Sequence, residues 1–88
     1  MATKIVMYTG LNCSKCKRAK EMLKNCPVEV ELIERNVDED EKYKIHLISA
    51  LESNTLPTFV IPTKEGEEEK IFRGFDENIG KIMEVLGL

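Results

Sequence analysis

Cys13 and Cys16 are separated by two residues in the order Cys13-Ser14-Lys15-Cys16. A C-x-x-C pair can exchange disulfides or hold a metal. For exchange, one sulfur must ionise and the other must reach it. A helix expected to start near Ser14 would put Cys13 at its N-terminus, where unpaired N–H groups and about half a positive charge favour a thiolate. Lys15, Lys17 and Arg18 add positive charge close by. The lowered thiol pKa expected there would make the nucleophile at neutral pH. Cys13 is therefore read as the nucleophile, and Cys16, facing back into the helix, as the resolving thiol. For metal, a closed zinc site takes four ligands. The other candidates are Cys26 and His46, and Cys26 lies about 15 Å along the same helix. No metal ligand is assigned. A copper-carrying domain also places C-x-x-C at a loop–helix start, but it has Met two residues before the first Cys, where this chain has Leu11.

The elements around the pair follow from periodicity. Lys4–Tyr8 reads as a buried strand, and Gly10 and Asn12 mark the loop that carries Cys13. Ala19, Met22, Leu23 and Cys26 share one helix face, and Pro27 stops that helix. Val28–Arg35 alternates apolar and charged residues as a strand with one wet face. Asp38 or Asp40 caps a second helix to about Leu51, with Tyr43, Leu47, Ala50 and Leu51 as its stripe. Thr58–Ile61 is a third strand, Glu65–Glu67 a turn, and Lys70–Arg73 the start of a fourth. Asp76 or Asn78 caps a last helix with Ile79, Ile82, Met83 and Leu86 inward. The order is β-α-β-α-β-β-α, an α/β domain with a four-stranded mixed sheet and three helices. The first two strands are expected parallel and the last two antiparallel.

The 88 residues allow one domain, taken as 1–88, and the net charge is −3. That balance argues against nucleic acid as partner. No apolar run approaches the roughly 18 residues of a membrane span, and nothing resembles a leader, so a cytoplasmic setting is expected. Three cysteines do not suit a disulfide-stapled secreted scaffold. The even total hides an asymmetry: residues 1–24 carry six positive charges and one negative, and residues 25–88 carry seven positive and fifteen negative.

Three motifs in order resemble the glutaredoxin family of the thioredoxin superfamily, over essentially the whole chain. They are Cys13-Ser14-Lys15-Cys16 after a strand, Thr55-Leu56-Pro57 before the third strand, and Gly74-Phe75-Asp76 at the last strand-to-helix turn. The resemblance implies a thioredoxin-like fold and a cis Pro57 opposite Cys13, with the Leu56 backbone offered to a peptide-like substrate. It also implies that Gly74-Phe75-Asp76 holds the γ-glutamyl end of glutathione, with a helix N-terminus at Phe75–Glu77 as an anion site. The activity implied is glutathione-dependent reduction of protein disulfides and glutathione mixed disulfides, serving electron transport and cell redox homeostasis. Glutathione is then the co-substrate, with no tightly bound cofactor. The partners are disulfide-containing or glutathionylated proteins, and a monomer is expected.

This chain also departs from the family. Family members usually have Cys-Pro-Tyr-Cys, a lysine where this chain has Gly10, and Gly-Gly where it has Arg73-Gly74. Arg73 or Lys15 is the candidate replacement for the missing charge. Gly74-Phe75 is also similar to the redoxins that feed ribonucleotide reductase and are reduced by thioredoxin reductase, which stands as the alternative, with a metal or iron–sulfur carrier behind it. Tyr8 is read as core, His46 as surface, Cys26 as a small buried hydrophobe, Pro27 and Pro62 as boundaries, and Glu67–Glu69 as a solvated hairpin tip.

Overall fold

The computed structural model describes residues 3–62 and 69–87. The turn expected at 65–67, and the 67–68 part of the expected hairpin tip, lie outside them. The elements are β1 (Thr3–Thr9), α1 (Ser14–Asn25), β2 (Val30–Asn36), α2 (Glu41–Ser49), β3 (Thr58–Ile61), β4 (Lys70–Arg73) and α3 (Ile79–Val85). This is the expected order. The strands form one mixed sheet in the order β2-β1-β3-β4. β1 runs parallel to β2, from Thr3 opposite Val30 to Thr9 opposite Asn36, and antiparallel to β3. β3 and β4 are antiparallel, with Thr58 opposite Arg73.

β1 and β3 lie inside the sheet, so both of their faces are covered and their apolar runs are continuous. The strand period of two then divides the core. Ile5, Met7, Phe59 and Ile61 face α1 and α3, joined by Cys16, Ala19, Leu23, Phe75 and Ile82. Tyr8 and Val60 face the other way, against Leu47 and Leu51. Ile5, Met7 and Phe59 are fully buried. Each such side chain contributes about 1.5–3 kcal/mol of transfer free energy, so the two central strands anchor the fold.

β1 is one residue longer at each end than the expected Lys4–Tyr8, and four other elements also differ from the sequence reading. β2 starts at Val30 rather than Val28 and runs on to Asn36, which pairs with Thr9. α1 stops at Asn25, and Cys26 is extended at ψ 152°, as a residue before proline must be. Cys26 is thus a half-buried cap residue and not part of the helix face; its sulfur lies 3.2 Å from the Leu23 and Val28 carbonyls. α2 ends at Ser49, two residues short of Leu51. The Ala50 and Leu51 N–H groups both donate to the His46 carbonyl, and Glu52 turns the chain at φ +50°. Leu51 remains buried, supplied by the turn and not by the helix. Finally, α3 begins only at Ile79. Phe75–Glu77 therefore form the turn before it and not its first turn. Asn78 is the N-cap residue, but its side chain points backwards and donates to the Arg73 and Gly74 carbonyls.

Candidate redox site

Cys13 occupies the N-cap of α1 with extended backbone, φ −119° and ψ 97°. Its sulfur accepts a hydrogen bond from the Cys16 N–H at 3.1 Å, and its carbonyl accepts from the Lys17 N–H. A sulfur thus fills the place where a Ser or Asp oxygen normally caps, which suits an anionic atom. Cys13 and Cys16 are joined as a disulfide, their Cα atoms 5.2 Å apart. The two ends differ: Cys16 is only 2% exposed and packs in the α1/α3 core, while Cys13 is half-buried at the surface.

The loop before Cys13 is held from the turn that follows β2. The Leu11 N–H donates to the Asp38 carboxylate at 2.8 Å, and the Asp38 N–H donates to the Asn36 side chain. Of the two candidate caps for α2, Asp40 does the capping, accepting from the Lys42 N–H at 2.9 Å. Asp38 belongs instead to the cysteine loop. Gly10 sits close against two side chains: a Cβ there would lie 2.9 Å from the Leu56 Cδ1 and 3.1 Å from the Asp38 carboxylate. The position where the family carries a lysine is crowded here by two side-chain ends, one of them a carboxylate.

The loop thereby abuts Leu56, whose peptide bond to Pro57 is cis. A hydroxyl network braces this turn. The Ser53 and Thr58 hydroxyls are 2.9 Å apart, Thr58 donates to the Thr55 carbonyl at 2.6 Å, and the Thr55 N–H reaches Ser53. Ser53 and Thr58 are buried, whereas Thr55 is exposed. The Pro57 carbonyl accepts from the Gly74 N–H at 2.9 Å, which ties this turn to Gly74-Phe75-Asp76. Gly74 sits at φ +94°, and a Cβ on it would run into the Glu77 carboxylate, so only glycine fits.

Phe75 is buried against Phe59, with ring centroids 6.4 Å apart. Asp76 is exposed and meets two cations from α1: Lys15 at 3.7 Å and Arg18 at 3.4 Å. The Arg18 guanidinium also lies over the Phe75 ring, 6.0 Å from its centroid. Arg73 points elsewhere; its guanidinium donates to the Leu51 carbonyl at 2.8 and 3.2 Å. Of the two cations considered as replacements for the missing lysine, Lys15 is beside Asp76 and Arg73 is a strut to the end of α2.

A groove of about 320 Å³ runs from Gly10 and both cysteines to Lys17, Lys20 and Glu34. Glu34 accepts from the Thr9 hydroxyl at 2.8 Å and pairs with Lys20 at 3.0 Å. Partial burial alone would raise its pKa. The Thr9 hydrogen bond and the Lys20 contact outweigh that and lower it below the ordinary value. Behind the sheet, Tyr8 is core as expected. Its hydroxyl accepts from Arg35, and exposed His46 stacks on its ring. Among the described residues, no three or more His, Cys, Asp or Glu side chains are placed to hold a metal ion, and no helix is long and apolar enough to cross a membrane.

Arg18, Asp38, Ser53 and Thr58 are the site residues that motif reading left out. Arg18 had a signal, its place in the basic helix. The other three act through hydrogen bonds that no short spacing encodes.

A C-x-x-C pair at a helix N-terminus, braced against a cis-proline turn on a mixed sheet, defines a vicinal-cysteine redox domain. The family model described as Glutaredoxin matches residues 5–65, and the chain belongs to that family. The fold is thioredoxin-like. The crystal structure of the thioredoxin-like protein BC3987 superposes with a TM-score of 0.75 at 28% identity, covering 93% of this chain and 99% of that one. A point mutant of the same protein gives 0.73 at 30% identity, over 93% and 97%. A Plasmodium falciparum thioredoxin gives 0.68 at 23% identity, over 97% and 71%. No curated protein matches the sequence.

Proposed function

We propose that this protein is a dithiol oxidoreductase that uses glutathione to reduce protein disulfides and glutathione mixed disulfides. The observation that carries the proposal is the capping geometry of Cys13: the α1 N–H that meets its sulfur would meet a thiolate there once the pair is reduced. The Cys13 thiolate attacks the glutathione sulfur of a mixed disulfide, and the substrate protein leaves as thiolate and takes up a proton. Glutathione remains on Cys13. A second glutathione thiolate attacks that sulfur, forming glutathione disulfide and restoring Cys13. Alternatively the Cys16 thiolate attacks Cys13, expels glutathione, and closes the Cys13–Cys16 disulfide present here. Two glutathiones then reduce that disulfide. The rate depends on the thiolate fraction and on the leaving thiol's pKa.

Thr55, Leu56 and Pro57 supply the backbone edge for the tripeptide, and Gly74, Phe75 and Asp76 the turn for its γ-glutamyl end. Lys15 lies on the same side, whereas Arg73 supports the Leu51 turn. Glutathione is a co-substrate and not a resident group. The partners are glutathionylated or disulfide-containing proteins in a cytoplasmic setting, with the chain acting as a monomer.

One observation favours a second reading, a redoxin that is reduced by thioredoxin reductase and donates electrons to ribonucleotide reductase. Gly10 puts no cation at this position, and the Asp38 carboxylate beside it would repel the glycyl carboxylate of glutathione. A coupled assay separates the two readings. We expect turnover of a mixed disulfide with glutathione and its reductase. Turnover only with thioredoxin reductase would replace the first reading with the second.

A further inference from the structure

We infer that Arg18 is a specificity residue that reads the α-carboxylate of a γ-glutamyl thiol, an inference that rests on the glutathione reading above. An α-amino acid headgroup is a zwitterion, so a site for it needs one anion and one cation a few ångströms apart. Asp76 and Arg18 are such a pair, 3.4 Å apart on different elements. The headgroup's ammonium takes the Asp76 carboxylate, and its carboxylate takes the guanidinium that Asp76 gives up. Charges match one for one, and because the Arg18–Asp76 bridge is half-exposed, breaking it costs little.

Arg18 suits this role better than Lys15, Arg73 or Lys20. Its guanidinium is steered twice, by Asp76 and by the Phe75 ring beneath it, and it presents a planar fork to a carboxylate. Lys15 makes a single contact at 3.7 Å, and Arg73 is engaged by the Leu51 carbonyl. Lys20 is paired with Glu34.

The test uses the whole chain as wild type, Arg18→Gln and Arg18→Lys, each checked by thermal melting. Three mixed disulfides of one reporter thiol serve as substrates: with glutathione, with the analogue in which 4-aminobutanoyl replaces γ-glutamyl (no α-carboxylate), and with the glycyl ethyl ester. For the wild type, KM should rise about fivefold when the α-carboxylate is removed. Arg18→Gln should raise KM for glutathione and for the ethyl ester by that same factor, leave KM for the aminobutanoyl analogue unchanged, and leave kcat within about twofold. Arg18→Lys should recover part of the loss. An equal KM rise on all three substrates, or none on any, overturns the inference and leaves the glutathione reading standing. No turnover of any glutathione mixed disulfide overturns both.

Discussion

Cys13 is the helix cap and, in the proposed mechanism, also the reacting sulfur, two roles that usually fall to different atoms. Thr58 is fully buried and links Ser53 to Thr55. Thr58→Val keeps the volume but strips two polar groups of their shortest partner. It should cost about 1–3 kcal/mol in a denaturant titration. Glu34 gives a pH signature. Its folded pKa lies below the ordinary 4.5, so it binds its proton less readily than in the unfolded chain. Its stabilising contribution is therefore fully present above about pH 4.5 and disappears as the pH falls through the lowered folded value. Glu34→Gln should lower stability at pH 7 by less than about 1 kcal/mol, since the Lys20 pair is partly exposed, and the gap should close in acid. Melting temperatures of both forms across pH 2–7 check the sign. At this scale the cysteine pair was legible from its spacing, and the proline and the Gly74-Phe75-Asp76 turn only through the family resemblance. The Asp38–Leu11 bond spans 27 residues and the Arg73–Leu51 bond spans 22, so nothing local announces them.

Elements read from period and punctuation came through best where both signals agree. β1 and β3 are continuous apolar runs because both faces are covered, and α1 stops where Pro27 requires. The end of α2 was not legible: Leu51 keeps the helical spacing yet is buried from a turn, because the chain must reverse at Glu52 to reach Pro57. Nor was the choice between two aspartates two residues apart. Asp40 caps α2 while Asp38 serves the cysteine loop, and the two roles make separable predictions. Asp40→Ala should cost about 1 kcal/mol of stability, measured by urea unfolding, with kcat/KM for the mixed disulfide unchanged. Asp38→Ala should leave the α2 cap intact, with its effect confined to turnover.

For the whole molecule, the charge asymmetry between residues 1–24 and the rest becomes a spatial one. Lys15, Lys17, Arg18 and Lys24 are exposed on α1, the helix that begins beside Cys13. Such a face would attract the anionic tripeptide proposed as co-substrate over distances set by the salt. Between about 0.01 M and about 1 M salt the screening length falls from roughly 30 Å to roughly 3 Å. Over that range kcat/KM for glutathionylated substrate should fall several-fold while kcat holds. A salt-independent kcat/KM would leave the basic face as ordinary solvated surface. The parallel and antiparallel pairings were legible from element order. The two-sided core was not, since it depends on which face of β1 each helix chooses.

The central claim is that Cys13 is the attacking sulfur and Cys16 resolves it. The most direct measurement is mass spectrometry of Cys13→Ser and Cys16→Ser after reaction with glutathione disulfide, paired with turnover of a glutathionylated protein. Cys16→Ser should carry one glutathione, mapped to Cys13, and keep measurable deglutathionylation while losing dithiol reduction. Cys13→Ser should form no adduct at Cys16 at a comparable rate and should show no activity. An active Cys13→Ser protein, or a glutathione adduct that maps to Cys16 or Cys26 in place of Cys13, would contradict the account.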